Sequence, residues 1–317
     1  MTKPVYIING FLESGKTEFI TFTLGQPYFQ IKGKTLLILC EEGENEYDPA
    51  LLKKSRTDVV LIEEEEEFTP NHLIELEKQY KPARIIIEYN GMWQVSEFEK
   101  MKLPAGWAIE QKITTVDAST FQMYLTNLKP LFVEMVKGAE LVLFNRCEDR
   151  GPLAGYRRSV KVVNGRTQVY FESSDGSSNE VEEILPFDLS KDVVEVADED
   201  FGIWYVDAMD NPDKYKGKTM KMKAVVYRPK SLFKDNFVPG RFAMTCCADD
   251  IRFIGYKCKC DKVTAEQLKA FKDRDFIMLT AKVNVEYQME YKGKGVVLYA
   301  TDIQPAEKPE DDIVYFN

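Results

Sequence analysis

The chain has 317 residues, 44% of them hydrophobic and 12% aromatic, which suggests about two domains at roughly 150 residues each. Its formal charge of -10 argues against a nucleic-acid partner, because phosphate backbones are bound by an excess of Lys and Arg. No apolar run approaches the ~20 residues of a membrane span, and the N-terminus enters the first strand almost at once, so a cytoplasmic protein without signal peptide or membrane span is expected.

The first element is the apolar run Pro4-Val-Tyr-Ile-Ile-Asn9, a strand. It leads into Gly10-Phe-Leu-Glu13-Ser14-Gly15-Lys16-Thr17 and then a helix start, the setting that a phosphate-binding loop requires. Its glycines let successive N–H groups point inward as an anion nest at a helix N-terminus. Lys16 can reach the β- and γ-phosphates of a nucleotide, and the Thr17 hydroxyl can hold Mg²⁺.

Further strands are expected at Thr35–Cys40, Asp58–Ile62, Arg84–Glu88, Lys112–Asp117 and Glu140–Asn145. Runs without alternation, such as Leu-Leu-Ile-Leu and Ile-Ile-Ile, read as strands of a parallel sheet buried on both faces. Helical spacing fills 70–80 and 119–137. This is a doubly wound α/β pattern, whose ligands sit at the carboxyl ends of strands. After Pro186 the chain becomes acidic and loses its period, so 1–185 is expected as the first domain and 186–200 as a linker. From 201 to 317, strand-like segments recur at Gly202–Val206, Thr219–Tyr227, Arg241–Cys247, Asp275–Val285 and Gly295–Asp302, with one helical stretch at 264–272. That pattern predicts a small all-β barrel of the oligonucleotide/oligosaccharide-binding (OB) type.

A phosphate-loop enzyme needs a carboxylate at a neighbouring strand end to organise Mg²⁺, and a backbone N–H that senses the γ-phosphate. Arg84-Ile-Ile-Ile-Glu88-Tyr-Asn-Gly91 supplies Glu88 for the first and Gly91 for the second. Asp48 is a candidate for the first mobile loop. Leu141-Val-Leu-Phe-Asn145-Arg146-Cys147-Glu148 has the form of the guanine-reading N-K-x-D motif, with Arg for Lys and Glu for Asp. Glu148 makes the same hydrogen bonds as Asp but is one methylene longer, which leaves guanine against adenine open.

These motifs resemble the CobW-type GTPases, a family of P-loop metallochaperones and cofactor-assembly proteins. The resemblance rests on Gly10–Thr17, Cys40-Glu41-Glu-Gly43-Glu44…Asp48, Glu88…Gly91, Val116-Asp117-Ala118, Asn145–Glu148 and Val162-Val-Asn164 with the strand 167–171. It implies GTP/GDP and Mg²⁺ as cofactors. Phosphate contacts then fall to Gly10, Glu13, Ser14, Gly15, Lys16 and Thr17, base contacts to Asn145 and Glu148, and catalysis to Lys16, Thr17, Glu88 and Gly91. Glu41 and Glu44 are the metal candidates it suggests, beside Thr17 and Asp48. The family's Cys-x-Cys-Cys metal motif is replaced here by Leu61-Ile-Glu-Glu-Glu-Glu-Glu67, read as a solvated loop, and Glu18 stands where another Thr is usual. An anionic Glu18 near the α-phosphate repels nucleotide unless it turns away or pairs.

The second half holds Cys246, Cys247, Cys258 and Cys260, four thiols able to bind Zn²⁺ if the backbone bends at the adjacent pair. Their spacing is not a recognised knuckle, and the alternative is four structural thiols. Arg241-Phe-Ala-Met-Thr-Cys246-Cys247-Ala-Asp249 also resembles the soluble YcgQ-type domain of bacteria, which occurs with permease subunits. The whole chain therefore reads as a Mg²⁺-dependent, slow GTPase coupled to a barrel that contacts a metal-dependent client or a permease subunit. A degraded nucleotide-binding scaffold and a thiol-based metal or redox carrier are the alternatives.

Overall fold

The computed structural model describes residues 2–316 except 44, 230–235, 246–249 and 290–292. Two compact units emerge, one from 1–153 with 166–181, the other from 154–165 with 182–317.

In chain order the first stretch contains β1 (Lys3–Asn9), α1 (Lys16–Gly25), β2 (Thr35–Leu39), α2 (Pro49–Ser55), β3 (Thr57–Leu61), α3 (Pro70–Tyr80), β4 (Arg84–Glu88), α4 (Val95–Lys100), β5 (Trp107–Asp117), α5 (Phe121–Asn127), α6 (Lys129–Lys137), β6 (Leu141–Asn145), α7 (Leu153–Val163) and β7 (Gln168–Phe171). The strands form one parallel sheet in the order β3-β2-β4-β1-β5-β6-β7. Leu36–Ile38 and Ile85–Ile87 are buried, as unalternating runs in a sheet covered on both faces must be. The edge strand β3 departs from that pattern, leaving Val59 and Leu61 exposed. Register does the positioning: Ile8 pairs with Glu88, Leu39 with Glu88, and Asp117 with Asn145. The carboxyl ends of β1, β4, β5 and β6 therefore meet along one edge, where a doubly wound sheet places ligands.

Local chemistry sets the helix limits. Thr69 caps α3 by accepting from the His72 N–H at 3.3 Å, with Pro70 in the first turn. The helical pattern over 119–137 is split at Leu128, since Pro130 lacks an N–H and its ring would clash with the carbonyl four residues earlier. The run Glu63–Glu67 is exposed, and 65–67 make one 3₁₀ turn ahead of that Thr69 cap.

The second unit adds β8 (Val193–Val196), α8 (Phe201–Asp210), α9 (Pro212–Tyr215), β9 (Thr219–Tyr227), β10 (Asn236–Met244), β11 (Ile251–Gly255), β12 (Cys258–Cys260), α10 (Ala265–Lys269), β13 (Phe276–Gln288), β14 (Gly293–Pro305) and β15 (Ile313–Val314). Five of these strands close a ring, β9-β10-β12-β14-β13 and back to β9, in which only the β12–β14 pairing is parallel. Strand β8 lies on β9, and β11 and β15 lie on β10. The unit is mostly β, with a core containing Trp204, Tyr215, Phe201, Phe237 and Leu298.

Two features differ from the sequence reading. Gly202–Val206, expected as a strand, lies inside α8, whose Phe201, Trp204, Val206, Asp207 and Ala208 are buried. A short apolar run rich in aromatic and β-branched residues carries no period that separates a strand from a buried helix. Within 186–200, Val193–Val196 is a strand with alternating exposure, paired in parallel with Thr219–Met222. Helix α7 is anchored in this unit by Arg157 and Lys161, both paired with Asp210, and by Ser159, which donates to the Phe316 carbonyl at 3.1 Å.

Trp204 has no exposed surface, and its indole N–H lacks an acceptor. Trp204→Ala should therefore cost ~3–5 kcal/mol of stability. Trp204→Phe should cost well under half of that, because it removes an unsatisfied donor while keeping most of the ring contacts. Urea unfolding of both variants checks the difference.

Candidate phosphate-binding site

The loop from Gly10 to Thr17 connects the end of β1 to the start of α1. Gly15 caps α1 at φ 92, in the left-handed region, and a Cβ there would lie 2.3 Å from Asn145 Nδ2. Only glycine satisfies both constraints. The Lys16 side chain folds back over the loop and is 3% exposed. Its Nζ donates to the carbonyls of Gly10 at 2.8 Å and Phe11 at 2.9 Å. The same Nζ is 2.5 Å from Glu41 Oε1. Glu41 Oε1 is buried without an aligned donor, so this is a charge contact rather than a directed hydrogen bond.

Thr17 donates to Glu88 Oε1 at 2.7 Å, and the Tyr47 hydroxyl donates to Glu88 Oε2. Burial raises the Glu88 carboxyl above its ordinary value, while the Tyr47 and Thr17 hydrogen bonds and the Lys16 charge oppose the rise. Burial, with the Glu88 charge and hydrogen bond, drives the Tyr47 phenol upward. Gly91 follows β4 and is packed against the loop: a Cβ on it would meet the Gly10 carbonyl at 2.3 Å and Phe11 Cα at 2.8 Å. Its N–H donates to Glu41 Oε2 at 3.5 Å. A cleft of about 290 Å³ over the loop is lined by Lys16, Thr17, Glu18, Glu41, Glu88 and Arg146, among others.

The end of β6 forms the second wall. Asn145 Nδ2 donates to the Ser14 carbonyl at 2.7 Å, leaving its Oδ1 buried and unpartnered. Arg146 has φ 54 and donates to the Glu13 carbonyl at 3.0 Å and to Asp117 Oδ2 at 2.6 Å. Glu18 is neutralised by this arginine, 3.3 Å from its Nη2, and also accepts from Asn45. An adjoining cavity of about 700 Å³ opens beside Asn145, lined by Phe19, Phe22 and Tyr170. Glu148 is exposed and accepts from the Ser174 N–H at 2.8 Å, which draws its carboxyl below the ordinary value.

Lys16, Thr17, Glu41, Glu88, Gly91 and Asn145 are thus brought together. Asp48 instead caps α2 by accepting from the Ala50 N–H at 2.9 Å. Glu44, Cys246 and Cys247 lie outside the described residues. Cys258 is fully buried, and that burial holds its thiol well above the ordinary range. Cys260 is half-buried two residues further along β12. Among the described residues no group of three or more His, Cys, Asp or Glu side chains is placed to hold a metal ion. Tyr47 and the Asp117–Arg146–Glu18 chain escaped the sequence reading, because the partners come from segments far apart in sequence.

A family model described as CobW/HypB/UreG, nucleotide-binding domain, matches residues 4–171. The chain belongs to this family, and its first unit is a nucleotide-binding domain of the P-loop α/β class. A second model, the DUF1980 C-terminal domain, matches residues 171–316. No curated protein matches the chain. Among solved structures, Zn(II)-bound YjiA GTPase from E. coli is 21% identical with a TM-score of 0.42, over 55% of this chain and 58% of that one. The chain thus aligns with little more than half of that relative's length. The hydrogenase maturation factor HypB from Archaeoglobus fulgidus is 17% identical with a TM-score of 0.39, over 56% of this chain and 84% of that one. Among the described residues no helix is long and apolar enough to cross a membrane.

Two outcomes are expected at this site. Gly91→Ala puts a methyl group into two backbone atoms, so nucleotide affinity should fall at least tenfold, about 1.4 kcal/mol, in calorimetric titration. Glu88 should also mark the pH dependence of stability. Its folded carboxyl holds a proton more tightly than the unfolded one, so stability is lost as pH rises from about 4.5 through the raised folded value. Glu88→Gln should flatten that fall in thermal melts.

Proposed function

We propose that this protein is a Mg²⁺-dependent GTP-binding protein and slow GTPase acting in metal or cofactor handling, with its second domain contacting a client protein. The observation that carries the reading is the convergence of Lys16, Thr17 and Glu88 on one cleft, with the Gly91 N–H donating to Glu41 on its wall. A bound triphosphate would be held by the loop amides of residues 13–17 and by Lys16, with no covalent step for the protein. Thr17 Oγ1 and Glu88 Oε1, 2.7 Å apart, are hard oxygen donors facing one locus and suit Mg²⁺. Held there, the ion would supply charge neutralisation to the phosphates. Asp48 enters this reading only through movement of the loop before α2. The buried, unpartnered Asn145 Oδ1 favours a base in the adjoining cavity; Glu148 does not line that cavity and would read guanine only on leaving the Ser174 N–H.

For the second domain, the ring order β9-β10-β12-β14-β13, with α10 between its third and fourth strands in sequence, supports the OB type of barrel. Its role in this reading is to present a surface to a client or a permease subunit. Zn²⁺ enters only if Cys246 and Cys247 join Cys258 and Cys260.

A second reading, a scaffold that binds nucleotide without hydrolysing it, is favoured by Glu18 and Arg146, whose ion pair stands beside the phosphate loop. Calorimetric titration of the metal-free full chain with GTP, GDP and ATP, with and without Mg²⁺, separates these readings when combined with phosphate-release assays. Lys16→Ala should lower affinity at least tenfold, about 1.4 kcal/mol, while the fold survives. GTP should bind better than ATP, and Glu148→Ala should erase that preference.

A further inference from the structure

We propose that Glu41 stands in the place of a terminal phosphate and sets the preference of the site for nucleoside diphosphate over triphosphate; this rests on the nucleotide reading above. The Glu41 carboxylate touches two groups at once. Its Oε1 lies 2.5 Å from Lys16 Nζ, and its Oε2 accepts from the Gly91 N–H at 3.5 Å. A lysine ammonium from the loop and a backbone N–H after the neighbouring strand are the two donors that a γ-phosphate requires. The carboxylate meets them with the same sign of charge and two oxygens.

The contact is built to be exchanged rather than kept. Glu41 Oε1 is buried with no aligned hydrogen bond, and the Gly91 N–H reaches it only at the limit of hydrogen-bond distance. Lys16 itself is fixed by the Gly10 and Phe11 carbonyls, so it stays in place when its anion changes. A terminal phosphate, with three oxygens against the carboxylate's two, would offer a separate acceptor to each donor in charge-assisted hydrogen bonds. A γ-phosphate and the Glu41 carboxylate claim the same position between Lys16 Nζ and the Gly91 N–H, so the triphosphate displaces Glu41. A diphosphate, whose β-phosphate also reaches Lys16, does not extend to the Gly91 N–H and leaves Glu41 there.

Displacement has a path into the rest of the loop. Beyond Gly43, whose Cβ position faces Thr17 Oγ1 at 3.9 Å, Asn45 binds Glu18 two residues on and the Tyr47 hydroxyl binds Glu88 four residues on. Release of Glu41 therefore removes the Lys16 and Gly91 contacts that precede the Asn45 and Tyr47 anchors. The affinity of the site for triphosphate is reduced by the fraction of molecules in which Glu41 holds Lys16.

The test is calorimetric titration of the full chain, in Mg²⁺, with GDP and with a hydrolysis-resistant GTP analogue. Parent, Glu41→Ala, Glu41→Gln and the exposed control Glu42→Ala are compared, each checked for folding by circular dichroism. Glu41→Ala should tighten the triphosphate analogue at least tenfold while changing GDP less than twofold. Glu41→Gln, which keeps the shape but not the charge, should fall between parent and alanine variant, and Glu42→Ala should match the parent. An unchanged ratio of triphosphate to diphosphate affinity in Glu41→Ala, with both ligands binding, would overturn the inference. So would a loss of triphosphate affinity in that variant. If GDP binds to none of the four proteins, the nucleotide reading itself fails and the role of Glu41 falls with it, an outcome distinct from the first two because GDP binding does not involve Glu41.

Discussion

A buried ammonium needs an anion, and Lys16 imposes that need on everything around it. At 3% exposure it is nearly cut off from water, and two carbonyls accept two of its three N–H groups without meeting its charge. Isolated buried charge is costly, so a negative group must stand next to Nζ at all times. Either a phosphate or a protein carboxylate fills the position. Glu41 lies directly against Nζ, and Glu88 is near enough for the Lys16 charge to act on its carboxyl.

Carboxylates in this cleft are consequently not a simple obstacle to phosphate. Glu18 is held by Arg146 and Asn45, and Asp117 by Arg146 and the Ser119 hydroxyl and N–H. Asp117 has its carboxyl drawn below the ordinary range, with those hydrogen bonds and the arginine overcoming the burial that opposes them. Arg146 therefore plays a part that a lysine fills less well: its planar fork reaches the Glu13 carbonyl, Asp117 and Glu18 at the same time. Arg146 and Glu18 thus offset each other's charge beside the phosphate loop.

The sequence carried the first unit well because its signals are local. Ile85-Ile-Ile87 and Leu36-Leu-Ile38 read as doubly covered strands, and the order strand, glycine loop, helix put Lys16 and Thr17 where they are found. Glu88 and Gly91 were legible for the same reason, being at fixed distances from a buried run. What escaped is non-local. Tyr47 reaches Glu88 across 41 residues and Arg146 reaches Glu13 across 133, and no spacing rule records such meetings. In the second unit, Phe201–Asp210 was illegible because an apolar run without polar alternation fits a buried helix as well as a strand, and tertiary packing decided. Val193–Val196 was hidden by its acidic flanks, although its exposure alternates as a half-buried strand should.

The closure of the second unit follows from a single irregularity in chain order. Strand β12 is three residues long, yet it bridges β10 and β14, pairing antiparallel with the first and parallel with the second. A parallel pairing between strands close in sequence needs a crossover, and the segment from α10 through β13 supplies it. Cys258 and Cys260 sit on this bridge, at the register positions of Leu298 and Ala300. Side chains on alternate residues of a strand share a face. The two thiols therefore lie on the same side of β12, with Cys258 buried in the core and Cys260 at its margin. Cys258 is as much a packing residue as a ligand candidate, since its raised thiol resists the ionisation that metal binding requires.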